Sequence, residues 1–295
     1  MHFMGAIVAQ FSLFAPGQTS DCLRRMAMAA PGRGSLELTG ENLLGAGGVQ
    51  AVGREAFAVR AGDRLFLFHG QLTWSSDSPL AARGGDHDPA SLIRLWERLG
   101  EKCIGHLAGD FAIAVIDLKV QQIVCARSVS GLRPLHFRVQ DDSLYLASDP
   151  RQIHRVMTTE PSLDETAVEH YLETNDLEPD ATIFKHIRRI PAGEAQLFSA
   201  AGQKWSIQSK GRLWQVPDVD ETLYKVPLQE LTEEAGRLID RAVSRVRPDG
   251  ENGSFPQWRY RFDAAVAIVR HKTPQRGTGQ FAPESFCLLP GGGMR

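Results

Sequence analysis

Short β-rich runs crowd the middle of this chain too closely for helical crossovers to separate them. Phe111–Asp117, Gln122–Arg127 and Ser143–Ser148 are each bounded by Gly, Asp, Ser or Pro, which marks them as strands. A parallel pair needs a crossover of a dozen or more residues, usually a helix, so this spacing predicts antiparallel pairing. The first run alternates little between apolar and polar, the pattern of a strand covered on both faces. Gly5–Phe11 and Arg64–His69 are two more runs of the same kind, so strands dominate the chain to about residue 198.

Two segments switch to helical periodicity. Pro89–Leu99 sets Leu92, Leu95, Trp96 and Leu99 on one stripe, with Asp88 as N-cap, Pro89 at the first helical position and Gly100 as the stop. Leu228–Val246 aligns Leu231, Ala235, Leu238, Ile239, Ala242, Val243 and Val246 on one face. The polar stretch between the strand-rich region and this second helix, anchored by Trp214, reads as a linker.

Composition narrows the function classes. The 295 residues are 42% apolar and 23% charged, a globular balance, and a formal charge of -2 gives no electrostatic footprint for nucleic acid or an anionic membrane. No apolar run approaches the roughly 20 residues that span a bilayer. The N-terminus lacks the basic region of a signal peptide. Cys22, Cys103, Cys125 and Cys287 are scattered, without metal-site or disulfide-framework spacing, and read as free thiols of a reducing compartment. The expected location is the cytoplasm, and no resident metal is expected.

The motifs are more specific. Gly109-Asp110-Phe111-Ala-Ile-Ala-Val-Ile-Asp117 is followed by Ala126-Arg127-Ser-Val-Ser-Gly131-Leu-Arg133-Pro134-Leu135, then by Leu146-Ala147-Ser148-Asp149. Phe68-His69-Gly70-Gln71-Leu72 precedes them. Leu163-Asp164, Tyr171-Leu172, Thr182-Ile183-Phe184 and Ile190-Pro191-Ala192-Gly193 follow. In order and spacing this closely resembles the amino-terminal domain of asparagine synthetases and their relatives. The resemblance covers about Gly5 to Val246. It implies an α+β fold of the N-terminal-nucleophile type, a four-layer αββα sandwich of two antiparallel sheets. The implied layout is an amidotransferase-like domain at 1–210, a linker at 211–227, the start of an ATP-pyrophosphatase domain at 228–250 and a divergent tail at 251–295.

That family hydrolyses glutamine with a cysteine exposed as the first residue, its own α-amine serving as base; the chemistry needs both groups. Met4-Gly5-Ala6-Ile7 stands where the family reads M-C-G-I, so Gly5 occupies the nucleophile's place and glutaminase activity is expected to be lost. Catalytic residues are therefore none. A vestigial glutamine site is expected at Arg33, His69, Gly70 and Asp86. His69 replaces the family's oxyanion-holding asparagine, with Gly70 beside it. Arg33 lies in a scrambled version of the substrate-gripping segment. Asp86 resembles the aspartate that binds the glutamine amine, although Asp86-His87-Asp88 before a helix equally fits capping. Asp110, Arg127, Gly131 and Pro134 match the family, with turn geometry and buried polar pairing as their expected roles.

The family continues into a ligase domain opened by an S-G-G-x-D-S loop that cradles ATP phosphates. No such loop appears after Val246, and Gly291-Gly292-Gly293 lacks the helix and lysine of a phosphate loop. Permitted codons for Gln257–Asp263, read one base later, spell Ser-Gly-Gly-Ile-Asp-Ser. A one-base slip near Pro248–Phe255 is therefore the expected origin of the tail, with an independent natural terminus as the alternative. Neither ATP nor magnesium, which the family uses, is expected to bind this chain, and no cofactor is assigned to it.

Relatives that dispense with glutamine, the β-lactam synthetases and lasso-peptide cyclases, activate a carboxylate as an acyl-adenylate that an amine on the substrate attacks. The reading is an asparagine synthetase-like, amide-bond-forming ligase, of the lasso-peptide macrolactam cyclase type, reduced to a catalytically inert amidotransferase-like domain. The alternatives are a non-catalytic module that binds a peptide or partner protein, and a glutaminase with another nucleophile. Expected partners are a precursor peptide or a partner protein, with no nucleic acid and no membrane. Self-association through the apolar stripe of Leu228–Val246 is also expected.

Overall fold

The computed structural model describes residues 6–12, 19–29, 36–39, 46–52, 55–75, 78–80, 88–140, 142–157, 160–200, 204–214, 218, 222 and 225–246. In chain order the elements are β1 (Ala6–Ser12), α1 (Thr19–Met28), β2 (Leu36–Thr39), β3 (Ala46–Val52), β4 (Ala56–Ala61), β5 (Arg64–Gly70) and β6 (Thr73–Trp74). Then come α2 (Pro89–Leu99), a 3-10 helix (Gly100–His106), β7 (Leu107–Ala108), β8 (Phe111–Asp117), β9 (Gln122–Arg127), β10 (His136–Gln140) and β11 (Ser143–Ala147). The rest are α3 (Pro150–His154), α4 (Glu165–Thr174), β12 (Arg188–Arg189), β13 (Glu194–Ser199), β14 (Ser206–Arg212) and α5 (Leu228–Val246).

The strands form two six-stranded sheets, ordered β12-β10-β11-β1-β3-β2 and β14-β13-β9-β8-β5-β4, plus a small β6-β7 pair. Every pairing is antiparallel, as the short spacing between strands requires. The side-chain period of two sorts each strand between two layers. In β5, Leu65 and Leu67 enter the core between the sheets, while Phe66 and Phe68 enter the layer under α2. In β8, Ala112, Ala114 and Ile116 take the inner layer, and Phe111, Ile113 and Val115 the outer. β8 is thus buried on both faces, and its weak alternation follows from that. α1 and α3 cover the far face of the first sheet, with Leu23, Met26 and Ile153 against Val8 and Ala147. Helix, sheet, sheet, helix is the four-layer α+β sandwich.

Local chemistry sets the helix bounds. Asp88 accepts the Ser91 amide at 2.8 Å, and Gly100 takes a positive φ of 58° at the other end of α2. Asp149 caps α3, while Gln152 reaches back to the Asp149 amide at 2.9 Å, a complete capping box. α4 is capped by Asp164 and ended by Asn175 in the left-handed region, and none of its residues is buried.

The sandwich extends further than the sequence reading placed it. β14 runs to Arg212, two residues into the stretch read as linker, because it pairs with β13 along its length. Chain contacts separate Met1–Pro217 from Asp218–Arg295, and within the second unit α5 takes the bounds its periodicity predicts. The tail at 251–295, Gly5, Arg33 and Asp86 lie outside the described residues. Among the described residues no helix is long and apolar enough to cross a membrane.

Candidate functional site

At one end of the second sheet, β5 leaves, β8 enters and β9 leaves, so His69–Gly70, Asp110–Phe111 and Arg127–Ser128 come side by side. His69 follows Leu65 and Leu67 in the strand's alternation and sits at the inner edge of the sandwich, 2% exposed. Its Nδ1 lies 3.3 Å from Ser148 Oγ and its Nε2 3.5 Å from an Arg133 guanidinium nitrogen. Ser148 Oγ also accepts the Ile7 amide at 3.0 Å, which ties the ring to the start of β1. Arg133 pairs in turn with Glu55 at 2.5 Å.

Burial, and then the Arg133 charge, push the His69 pKa down to about 4, so the ring is neutral near pH 7. Of the two neutral tautomers, one suits the surroundings. With the proton on Nδ1, the ring donates to Ser148 Oγ while Nε2 accepts from Arg133; the other tautomer sets an N–H against a guanidinium N–H. Both ring nitrogens are thereby committed within the protein.

Gly70 is fixed by crowding. Its φ is +130°, and a Cβ there would stand 2.0 Å from the Asp110 carbonyl oxygen. Its amide donates to the Glu55 carbonyl at 2.7 Å, and the Asp110 carbonyl accepts from Gln71 at 3.1 Å. Arg127 is a staple for the loop after β9: its guanidinium donates to the carbonyls of Arg133 (2.8 Å), Ile190 (2.5 Å) and Gly131 (2.5 Å). Burial and the nearby Arg189 pull its pKa down to about 10, still well above neutral pH. Gly131 has φ +63°, and a Cβ there would meet Ala192 at 2.9 Å and Arg127 at 3.2 Å, which explains why the pattern spaces arginine and glycine four apart.

On the other side of Asp110 a ladder of hydroxyls begins. Ser128 Oγ accepts the Phe111 amide at 3.2 Å and lies 3.0 Å from Ser130 Oγ, and Ser130 donates to the Asp110 carboxylate. Ser130, Ser148, Glu55 and Arg133 were not foreseen as one constellation. Their long-range partners lie 20 to 141 positions away, and only the shared motif order hints at the grouping. No described cysteine is a ready nucleophile: burial raises Cys22 and Cys103 to about 12 and raises Cys125 further still. Among the described residues no group of three or more His, Cys, Asp or Glu is placed to hold a metal.

Two antiparallel sheets between helices, with the start of β1 tied to a polar cluster at one mouth, define an N-terminal-nucleophile type of sandwich. Residues 81–209 match the family described as glutamine amidotransferase domain. The chain is 24% identical over 189 residues to the putative asparagine synthetase [glutamine-hydrolyzing] 2 of Methanocaldococcus jannaschii, covering 63% of this chain and 36% of that protein. It is 26% identical over 155 residues to asparagine synthetase [glutamine-hydrolyzing] 3 of Bacillus subtilis, covering 49% and 25%. A solved glutamine phosphoribosylpyrophosphate amidotransferase from B. subtilis aligns over 72% of this chain and 50% of its own, at 14% identity and a TM-score of 0.45. The chain carries a glutamine amidotransferase-like domain similar to those of asparagine synthetases. It spans about a third or less of the length of the curated relatives it matches.

Proposed function

We propose that this domain no longer hydrolyses glutamine and serves as the amidotransferase-like scaffold of an ATP-dependent, amide-bond-forming ligase of the macrolactam (lasso-peptide cyclase) type. The observation that carries the reading is the state of His69. An oxyanion donor must aim an N–H at the developing charge. Here the one ring N–H of His69 goes to Ser148, and Nε2 faces Arg133 as an acceptor. Gly5, standing where the family has its cysteine, removes the nucleophile as well. A ligase whose substrate brings its own amine needs no ammonia, so both losses are tolerated in that class and in no glutamine-dependent one. The domain would work in the cytoplasm with a precursor peptide as its partner. ATP and magnesium belong to the ligase half of such an enzyme.

Glutamate release from glutamine by the full chain tests the reading. No release above the uncatalysed background is expected. Turnover at an enzymatic rate, on the order of 1 per second, would overturn it.

A second reading, a binding module for a partner protein, draws support from α4. That helix exposes Leu172 at 77% and Tyr171 at 43% while burying nothing. A soluble partner bound without ATP would favour it.

A further inference from the structure

The stretch between Arg155 and Lys185 holds eight aspartates and glutamates and no lysine or arginine, in a chain whose formal charge is only -2. α4 lies in its middle and is held by its ends rather than by its sides. Asp164 accepts the Ala167 amide at 3.2 Å, the Asp164 amide donates to the Ile183 carbonyl at 2.9 Å, and Asn175 stops the helix in the left-handed region. None of its ten residues is buried.

The solvent side of α4 is sorted. Glu165, Glu169 and Glu173 are four apart, so they stand in one exposed stripe about 12 Å long at ~1.5 Å per residue. No described cation pairs with any of the three; the segment's ion pairs engage other acids, Glu178 with His170 and Asp180 with Arg188 and Lys210. Beside the stripe, Val168 and Leu172 stand one turn apart as an apolar ridge, with Leu172 77% exposed. Like charges at that spacing weaken a helix, and a helix of ten residues that buries nothing has no packing to offset the loss. A partner that relieves both the repulsion and the exposed leucine must be cationic over the glutamates and apolar over Leu172.

We infer that this face of α4 docks a basic peptide segment with an apolar anchor, its lysines or arginines over the glutamate stripe and an aliphatic side chain over Val168 and Leu172. Nucleic acid and anionic membranes are repelled by the same stripe. The inference rests on the second reading above, a binding module for a partner, and gives that partner its chemistry.

The test is a fluorescence anisotropy titration of the full chain into three labelled helical peptides of about fifteen residues, long enough at ~1.5 Å per residue to span the stripe. The first sets lysines four apart beside leucines; the second has glutamine for each lysine, and the third has serine for each leucine. Expected is saturable binding of the first in the micromolar to sub-millimolar range, at least about tenfold weaker for the other two and for the first at about 500 mM salt in place of about 50 mM. Glu165→Gln, Glu169→Gln and Glu173→Gln together should weaken binding about tenfold or more without unfolding the helix, since the repulsion leaves with the charges. Leu172→Ser alone should weaken it about fivefold or more. Removing three exposed acids elsewhere, with Glu97→Gln, Glu101→Gln and Glu230→Gln, should change it less than about twofold. Equal losses in the two triple variants would reduce the effect to net charge and overturn the inference. Equal binding of the lysine and glutamine peptides, lost in Leu172→Ser, would overturn it while the module reading stands; no saturable binding of any peptide would overturn both. Dimers of the chain alone that Leu172→Ser disperses would give the face to a second copy and overturn it as well.

Discussion

One end of the second sheet presents two polar clusters separated by the thickness of a strand, and they are organised on opposite terms. On the inner face, His69 is 2% exposed, and each ring nitrogen and the hydroxyl of Ser148 already has a protein partner. On the outer face, the ladder runs from Ser128 through Ser130 to the Asp110 carboxylate, and the two serines line an open cleft. Alternation along β5, β8 and β9 creates both. A residue one step further along a strand moves from the sealed side to the open side. A buried polar cluster whose groups satisfy one another stabilises a fold and leaves little for a ligand; an unfinished one at a surface invites a partner.

Gly70 belongs to both faces, so its substitution should have the largest effect. In Gly70→Ala the new Cβ would stand 2.0 Å from backbone that cannot yield, at a φ of +130°. Strain there costs roughly 1–3 kcal/mol before the clash is added. With the clash, a loss above about 4 kcal/mol is expected, seen in denaturant melts as little or no folded protein. A melt within about 1 kcal/mol of wild type would show that the two faces do not share this hinge. The next contrast separates them. Ser148→Ala leaves the Ile7 amide and the His69 Nδ1–H without their acceptor in the interior and should cost about 2–3 kcal/mol. Ser130→Ala removes a rim hydroxyl that water replaces and should cost about 0.5 kcal/mol or less. Equal costs in urea unfolding would erase the distinction between a sealed and an open cluster.

How much of this was legible depended on the distance over which the cause acts. α2 could be read to the residue, since its cap, first-turn proline and stop lie within a dozen positions. β8 and β9 took the bounds read from their apolar runs. β3, whose sequence Ala-Gly-Gly-Val-Gln-Ala-Val has little strand character, is held by pairing with β1 and β2, which no local pattern announces. The last two residues of β14 were read as linker for the same reason, its polar end being recruited by β13. At the site, the motif order placed His69 and Gly70 together. The commitments of His69 to Ser148 and Arg133, 79 and 64 positions away, came only from the fold.

The sealed face should also announce itself through pH, each histidine contributing less than the loss of Ser148. His69 and His136 are both pushed down to about 4, chiefly by burial, His69 with Arg133 and His136 with Arg127 adding to the depression. A histidine whose folded pKa lies below its unfolded value near 6.5 resists protonation only while the chain is folded. As pH falls from about 6.5 toward 4, the unfolded chain takes up protons that the folded chain refuses, and stability drops; above that window the two states bind protons alike and nothing changes. Each group should withdraw on the order of 1–2 kcal/mol by pH 5, since one pK unit is worth ~1.4 kcal/mol. Urea midpoints measured between pH 7.5 and 5 should fall accordingly. His69→Gln should flatten the slope by about the share of one histidine, while Asp110→Asn on the open face should leave the slope in this window unchanged. A slope untouched by His69→Gln would mean that the ring is solvated in the working protein, and the contrast between the faces would then have to be drawn from the serines alone.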